Sequence, residues 1–117
     1  MRAGLMIALC LVVLPVKASD GYRTEPVVYG SNLKRLCDAD RKSAEYGMCW
    51  SFVTAIFEVT RNSVPIYELK ACIPPLTNAQ KAVDLTTQWL HDHPDEDTRA
   101  ASLITAEALV SAFPCKP

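Results

Sequence analysis

The 117-residue sequence lacks several features by which common enzyme classes are recognised. It contains only four glycines, and none of them forms the glycine-rich loop that cradles a phosphate group. No serine or histidine stands in a recognisable nucleophile motif, and no internal repeat or low-complexity segment occurs. We therefore predict that the protein is not an enzyme, holds no catalytic residues and needs no cofactor.

The sequence also lacks a surplus of positive charge. Its 12 lysine and arginine residues stand against 13 aspartates and glutamates, which gives a formal net charge of −1 at pH 7. Because no basic patch interrupts this balance, neither nucleic acid nor an anionic lipid surface is expected as a partner.

The apolar run from Ala3 to Val16 is too short for a transmembrane helix, which takes about 20 apolar residues. It follows a positive charge at Arg2 and ends in Val16-Lys17-Ala18, with small or modest side chains at positions −3 and −1. We therefore predict a signal peptide over residues 1–18, cleavage after Ala18 and a periplasmic location.

Cys10 lies within this run but does not predict a lipid anchor. The preceding Leu9 is too large for a lipoprotein site, so no membrane anchor is expected after cleavage. Cleavage would also remove Arg2 and Lys17, which lowers the basic residues from 12 to 10 and leaves all 13 acidic ones. The predicted mature chain, residues 19–117, then carries a net charge of −3.

Four cysteines remain in the predicted mature chain: Cys37, Cys49, Cys72 and Cys115. An even number of cysteines in an exported protein is typical of disulfides, because the compartment is oxidising. A structural zinc site is the alternative, but such sites normally show Cys-x-x-Cys spacing, and these cysteines are 12, 23 and 43 residues apart. Two disulfides are therefore expected, in a single domain with a limited core.

Hydrophobic periodicity predicts an all-α domain over residues 31–117, a compact bundle of about four helices in antiparallel hairpins. Residues 19–30 have no helical period and are expected to form an extended lead-in, and residues 66–73 stay ambiguous. The helices are expected over about Asn32–Ala39, Lys42–Asn62, Thr77–His91 and Arg99–Phe113. The expected N-caps are Ser31 for the first helix, a Thr77–Gln80 capping box for the third, and Asp97 or Thr98 for the fourth.

The second helix is apolar on more than one face, in two rows: Trp50, Val53 and Phe57, and Phe52, Ile56 and Val59. Such a helix is central in its domain or covered by a partner. A pair of buried strands is the alternative, but the length of the segment and the lack of an internal turn signal favour a helix. Trp50 and Trp89 are expected in the core, with a homodimer contact as the alternative for part of the second helix.

The helix order predicts which cysteines pair. Short connections place the first helix beside the second and the third beside the fourth, so Cys37 is expected to bond to Cys49 and Cys72 to Cys115. Four cysteines allow three pairings, and the other two stay open at this point.

The four cysteines and one further motif form an ordered series along the chain. Its members are Cys37; Cys49-Trp50-Ser51-Phe52 with Ala55; Cys72-Ile73-Pro74; Leu90-His91-Asp92-His93-Pro94; and Ala108-Leu109-Val110-Ser111-Ala112-Phe113-Pro114-Cys115. In this order and spacing they resemble the Rap1a/Tai family, the amidase immunity proteins of type VI secretion systems. The resemblance covers about residues 30–115, and its last two motifs are the most specific. Ser51 and Ala55 stand where the family often has glycine, so a slightly wider helix contact is expected there.

The resemblance implies a periplasmic protein that has no catalysis of its own. Members of this family bind a toxin that cleaves peptide bonds in peptidoglycan, and they block its active site. Relatives act as homodimers. The expected partners are therefore a cognate secreted amidase and a second copy of the chain.

The turn after the third helix holds the candidate partner-binding residues: His91, Asp92, His93, Asp95 and Asp97. A metal site is a poor interpretation, because two histidines two positions apart do not share a helix face. A solvated turn whose aspartates suit the next helix N-terminus is the simplest interpretation. An inhibitory element that enters a cationic or polar cleft of the toxin is the functional hypothesis.

A second function class fits the same features. The alternative is a periplasmic helical chaperone or stress protein, which would bind its clients through the second helix, apolar on more than one face. A structural subunit of an envelope complex is a third option. An adjacent gene for a secreted amidase would favour immunity, and many weak clients would favour a chaperone.

Overall fold

The computed structural model describes residues 28–117, and this part of the chain confirms the all-α prediction. The predicted signal peptide and most of the predicted lead-in lie outside the described residues. None of the helices within residues 28–117 combines the length and the hydropathy needed to cross a membrane. The elements are α1 (Gly30–Cys37), α2 (Ala44–Arg61), α3 (Ala79–Asp92), a 3₁₀ turn (Pro94–Glu96) and α4 (Ala101–Ala112).

The start of α1 differs from the sequence prediction. The helix begins at Gly30, and its N-cap is Tyr29 rather than Ser31. The first two helical N–H groups, of Gly30 and Ser31, donate at 2.9 and 3.0 Å to the backbone carbonyls of Arg99 and Asp97. The prediction of a Ser31 cap is wrong because the partners of these N–H groups come from a distant part of the chain.

The start of α4 is capped in the same way. Neither Asp97 nor Thr98 caps it, because the helix begins later, at Ala101, and has no capping side chain. The N–H of Ala101 instead donates to the carbonyl of Val28 at 2.9 Å. The segments that lead into α1 and α4 therefore satisfy each other's helix ends through backbone hydrogen bonds, which local sequence does not reveal.

The start of α3 also uses a different residue from the expected one. The Thr77–Gln80 capping box is wrong, because the cap is Asn78, whose side-chain oxygen accepts the N–H of Lys81 at 2.9 Å. The side-chain amide of Gln80 instead donates to the hydroxyl of Tyr46, on α2, at 3.1 Å. A side chain that could close the helix end locally is thus used to join two helices.

The most enclosed helix is α4, in which every residue from Ala101 to Val110 is buried or half-buried. It packs against the other three helices and closes the core. The largest fully buried side chains are Phe57, Leu33, Leu90, Ile104 and Leu109. Each such side chain stabilises the fold by about 1.5–3 kcal/mol relative to an exposed position.

The second helix is less enclosed than its composition indicates. It buries a single stripe: Tyr46, Cys49, Val53, Phe57 and Thr60. Trp50 is 39% exposed, so its expected place in the core is wrong, whereas Trp89 is half-buried and packs against the core. One face of α2 suffices for its contacts with the rest of the bundle, and the hydrophobic pattern could not distinguish that face from the other.

Both expected disulfides are present and confirm the predicted pairing. The Cα atoms are 5.1 Å apart in Cys37–Cys49 and 4.9 Å apart in Cys72–Cys115. The first bridge is buried between α1 and α2, whereas Cys72 is exposed at the surface. The second bridge joins the segment before α3 to the segment after α4. Beside this bridge, the N–H of Cys72 also donates to the carbonyl of Phe113 at 2.8 Å.

Candidate partner-binding surface

The acidic turn, residues 91–97, is fixed at its start by two side-chain contacts. The Nε2 atom of His91 lies 2.7 Å from a carboxylate oxygen of Asp38, at the end of α1. The carboxylate of Asp92 accepts the side-chain amide of Gln88 at 2.8 Å. The turn therefore leaves α3 in a direction set by both α1 and α3.

The next residue, His93, is held by the tryptophan one helical turn before it. The rings of His93 and Trp89 are stacked with their centroids 4.0 Å apart and an interplanar angle of 18°. The Nδ1 atom of His93 lies 2.9 Å from the carbonyl oxygen of Trp89, so this nitrogen donates a hydrogen bond. The ring is packed onto α3 and is not free to swing outwards.

Glu96 links the far side of the acidic turn to α3 and α4. One of its carboxylate oxygens accepts the indole N–H of Trp89 at 3.1 Å, and the other accepts Arg99 at 2.6 Å. Arg99 also donates two hydrogen bonds to the carboxylate of Glu107, at 3.0 and 2.7 Å. Hydrogen bonding to Glu107, with further help from the charges of Glu107 and Glu96, raises the pKa of Arg99. The guanidinium therefore stays charged and clamps the turn onto α4.

The five predicted partner-binding residues thus lie together at one end of α3 but present themselves differently. The side chains of Asp92 and Asp95 are exposed, Asp97 is half-buried, and His91 is exposed while bonded to α1. His93 is half-buried by its stacking on Trp89. Carboxylates on a rigid turn can offer hydrogen-bond acceptors to a basic protein surface.

The same turn holds no arrangement of ligands for a metal ion. His91 and His93 are engaged with different partners, Asp38 and the backbone of Trp89. Within residues 28–117 no group of three histidine, cysteine, aspartate or glutamate side chains is placed to coordinate a metal.

A cleft of about 210 Å³ lies beside the acidic turn, between α3 and the connection from α1 to α2. The Arg41 guanidinium lies 3.7 Å from the carboxylate of Asp84 across this cleft and 5.9 Å from the centroid of the Tyr46 ring. These opposite charges face each other, so neither side chain leaves an isolated charge in the cleft.

The connection between α2 and α3, residues 62–78, contains a strained hairpin that the sequence did not predict. Ile66 and Leu69 exchange two backbone hydrogen bonds, of 3.1 and 2.8 Å, around Tyr67 and Glu68. Tyr67 and Glu68 have φ angles of 50° and 66°, in the left-handed region that favours glycine. Two-residue turns of this kind normally carry Asn-Gly or a similar pair, so Tyr-Glu gave no signal for a hairpin.

This connection also exposes large apolar side chains. The exposed fractions are 51% for Val64, 59% for Tyr67 and 97% for Leu76. Leu76 borders a shallow groove of about 430 Å³ that reaches Phe113. Sequence reasoning identified residues 66–73 only as ambiguous, because the segment is short and is bounded by prolines.

Comparison with known proteins adds one match. The family model of the Rap1a immunity proteins matches residues 29–115. This stretch begins at the N-cap of α1 and ends at Cys115, so it includes α1 to α4 and the two disulfides described above. No curated protein and no solved structure matches the chain.

Proposed function

The chain belongs to the Rap1a immunity protein family, and we propose that it binds and blocks a peptidoglycan-cleaving amidase that a type VI secretion system delivers. The observation that carries the proposal is the family match over residues 29–115, which spans the whole helical domain. In this role the chain acts as a stoichiometric inhibitor and performs no catalysis itself.

The proposed place of action is the periplasm, where an enzyme that cuts peptidoglycan would meet its substrate. Two disulfides in a domain of this size support this location, because disulfides persist in oxidising compartments and are rare in the cytosol. The predicted signal peptide over residues 1–18 supplies the route of export.

The acidic turn is the proposed contact with the toxin. Its backbone is fixed by the bonds of His91 and Glu96 to neighbouring helices, so little conformational freedom would be lost on binding. Asp92, Asp95 and Asp97 then offer carboxylates to a cationic or polar cleft. A rigid, charged turn between two helices suits insertion beside an active site.

The proposed homodimer contact is the outer face of α2, formed by Met48, Phe52, Ala55 and Val59. These residues recur at intervals of four, three and four and therefore share one face of the helix. Met48 and Val59 are 59% and 42% exposed, and Ala55 is also exposed. An exposed apolar face that runs along the helix suits packing against the same face of a second copy.

The proposal is tested with the chain purified from the periplasm after expression of the full gene. A panel of purified type VI peptidoglycan amidases is assayed for peptidoglycan hydrolysis with and without an equimolar amount of the chain. We expect complete inhibition of one amidase at a 1:1 ratio of active sites to chains. If every amidase in the panel keeps its full activity, the amidase inhibitor proposal is wrong.

The role of the acidic turn is tested by the triple variant Asp92→Ala/Asp95→Ala/Asp97→Ala. We expect it to bind the inhibited amidase at least about tenfold more weakly, because the central charged contacts of an interface carry much of its affinity. The matched control is Glu45→Ala/Glu58→Ala, which removes two exposed carboxylates from α2 and should leave affinity unchanged. Equal affinity of the triple variant and the wild type would remove the turn from the interface.

The same purified protein separates immunity from the chaperone alternative. An inhibitor forms one tight stoichiometric complex, whereas a chaperone slows the aggregation of many unfolded clients. Suppression of aggregation of reduced insulin and of denatured citrate synthase, together with no amidase inhibition, would favour the chaperone.

A further inference from the structure

The hairpin at Tyr67 has a strained backbone, although burial of its two central side chains does not impose the strain. Two adjacent residues other than glycine adopt positive φ angles, and both side chains are exposed. In a left-handed conformation the β-carbon crowds the following carbonyl, so such residues persist only where the surroundings hold them. Backbone strain of this kind concentrates at sites that act on a ligand or partner.

Contacts with α4 hold the segment from Tyr67 to Cys72 at its two ends. The hydroxyl of Tyr67 lies 3.0 Å from that of Ser102, in the first turn of α4. Five residues further on, Cys72 bonds to the carbonyl of Phe113 and to Cys115, at the end of α4. The segment from 67 to 72 therefore runs along α4 and fixes the tyrosine ring while 59% of the residue stays exposed.

The contact with Ser102 places the hydroxyl of Tyr67 at the N-terminal end of α4, which follows the acidic turn in the chain. The chain passes from residue 97 into the first turn of α4 within five residues, so the acidic turn and Tyr67 border the same end of α4. Glu68, next to Tyr67 in the chain, is exposed, as are Asp92 and Asp95 in the acidic turn.

We propose that Tyr67 is an anchor that enters an apolar pocket with a basic rim on the amidase that the acidic turn contacts. The inference rests on the proposed inhibitor function and extends the interface to the α2–α3 connection. A tyrosine that is already held in one position loses little side-chain entropy on binding, and such rings are common centres of binding energy in protein interfaces.

The test uses a variant that relieves the strain and removes the ring together. Tyr67→Asn/Glu68→Gly places the favoured pair in this turn, so we expect an equal or higher melting temperature. Binding to the inhibited amidase should nevertheless weaken at least about tenfold. Unchanged affinity, or a loss of affinity accompanied by a lower melting temperature, would overturn the proposal.

Two further variants separate the ring from its surroundings. Tyr67→Phe keeps the ring and should bind within about threefold of the wild type, whereas an equal loss in both Tyr67 variants would contradict an anchoring ring. Leu76→Ala removes a more exposed apolar side chain from the same connection and should leave affinity unchanged.

A wild-type chain that inhibits no amidase in the panel contradicts the inhibitor function itself, whereas inhibition that the Tyr67→Asn/Glu68→Gly variant retains contradicts only the anchor.

Discussion

Gly30 and Ile104 approach so closely that a β-carbon on Gly30 would lie 2.6 Å from the Cδ1 atom of Ile104. The same β-carbon would lie 2.8 Å from the carbonyl oxygen of Glu96. The start of α1 therefore fits against α4 and the acidic turn only because residue 30 has no side chain.

Gly30→Ala is expected to lower the free energy of unfolding by about 1–3 kcal/mol, because the backbone oxygen of Glu96 cannot move away from the added methyl group without shifting the turn. Urea unfolding followed by circular dichroism measures the change. The matched control is Gly47→Ala on α2, where a β-carbon meets no atom within 4 Å. That control should raise the free energy of unfolding by about 0.5–1 kcal/mol, and similar effects at both glycines would refute the close packing.

Arg99→Ala is expected to lower the free energy of unfolding by about 1–2 kcal/mol, because Glu96 and Glu107, which are mostly buried, lose their shared partner. The value is kept small because the guanidinium is about one third exposed to water. Since the pKa of Arg99 is raised, its charge is constant near neutrality, and the loss should be equal at about pH 7 and pH 9. Arg41→Ala, at an exposed pair, should change stability by less than about 0.5 kcal/mol, and an equal loss there would argue against the clamp.

The two disulfides are expected to open in a fixed order under mild reduction. Cys72 is exposed, whereas Cys49 is fully buried, and exchange requires access of the attacking thiolate to sulfur. Alkylation during limited reduction, followed by peptide mass spectrometry, should therefore label Cys72 and Cys115 before Cys37 and Cys49. Simultaneous labelling of all four cysteines would mean that the fold does not shield the inner bridge.

Cleavage of the leader is expected between Ala18 and Ser19. The intact mass of protein from the periplasm should correspond to residues 19–117. Ala18→Arg should block processing, because the position before the cut requires a small side chain, whereas Lys17→Arg should be cut normally. A periplasmic protein that retains residues 1–18 would contradict the predicted signal peptide.

Met48→Glu/Val59→Glu is expected to convert the proposed homodimer into a monomer, because it buries two carboxylates in the proposed α2 contact. Size-exclusion chromatography with light scattering measures the mass. The control is Val64→Glu, which changes an equally exposed apolar residue outside α2 and should remain dimeric. A monomeric wild type, or a double variant that stays dimeric, would contradict the proposal that this face of α2 forms a homodimer contact.

The sequence by itself determined the all-α class of the fold and favoured the disulfide pairing that the structure shows. The hydrophobic periods of the helices are local, and short connections favour contact between neighbouring helices. Cys37 and Cys49 were therefore expected to meet within one hairpin, although the other two pairings stayed open. The motifs around Cys72 and Cys115 also carried part of the family resemblance. They lie at the two ends of the α3–α4 hairpin, which the Cys72–Cys115 disulfide joins.

The tertiary structure alone decided how the helix ends are satisfied and which surfaces stay exposed. The N-termini of α1 and α4 use carbonyls of distant residues, so Ser31 and Asp97 had no capping role for local patterns to find. Trp50 is exposed because α2 is enclosed on one face only, and hydrophobic residues alone do not say which face. The positive φ angles of Tyr67 and Glu68 oppose the local preference of those residues, and the contact of Tyr67 with Ser102 of α4 appears only in the folded chain.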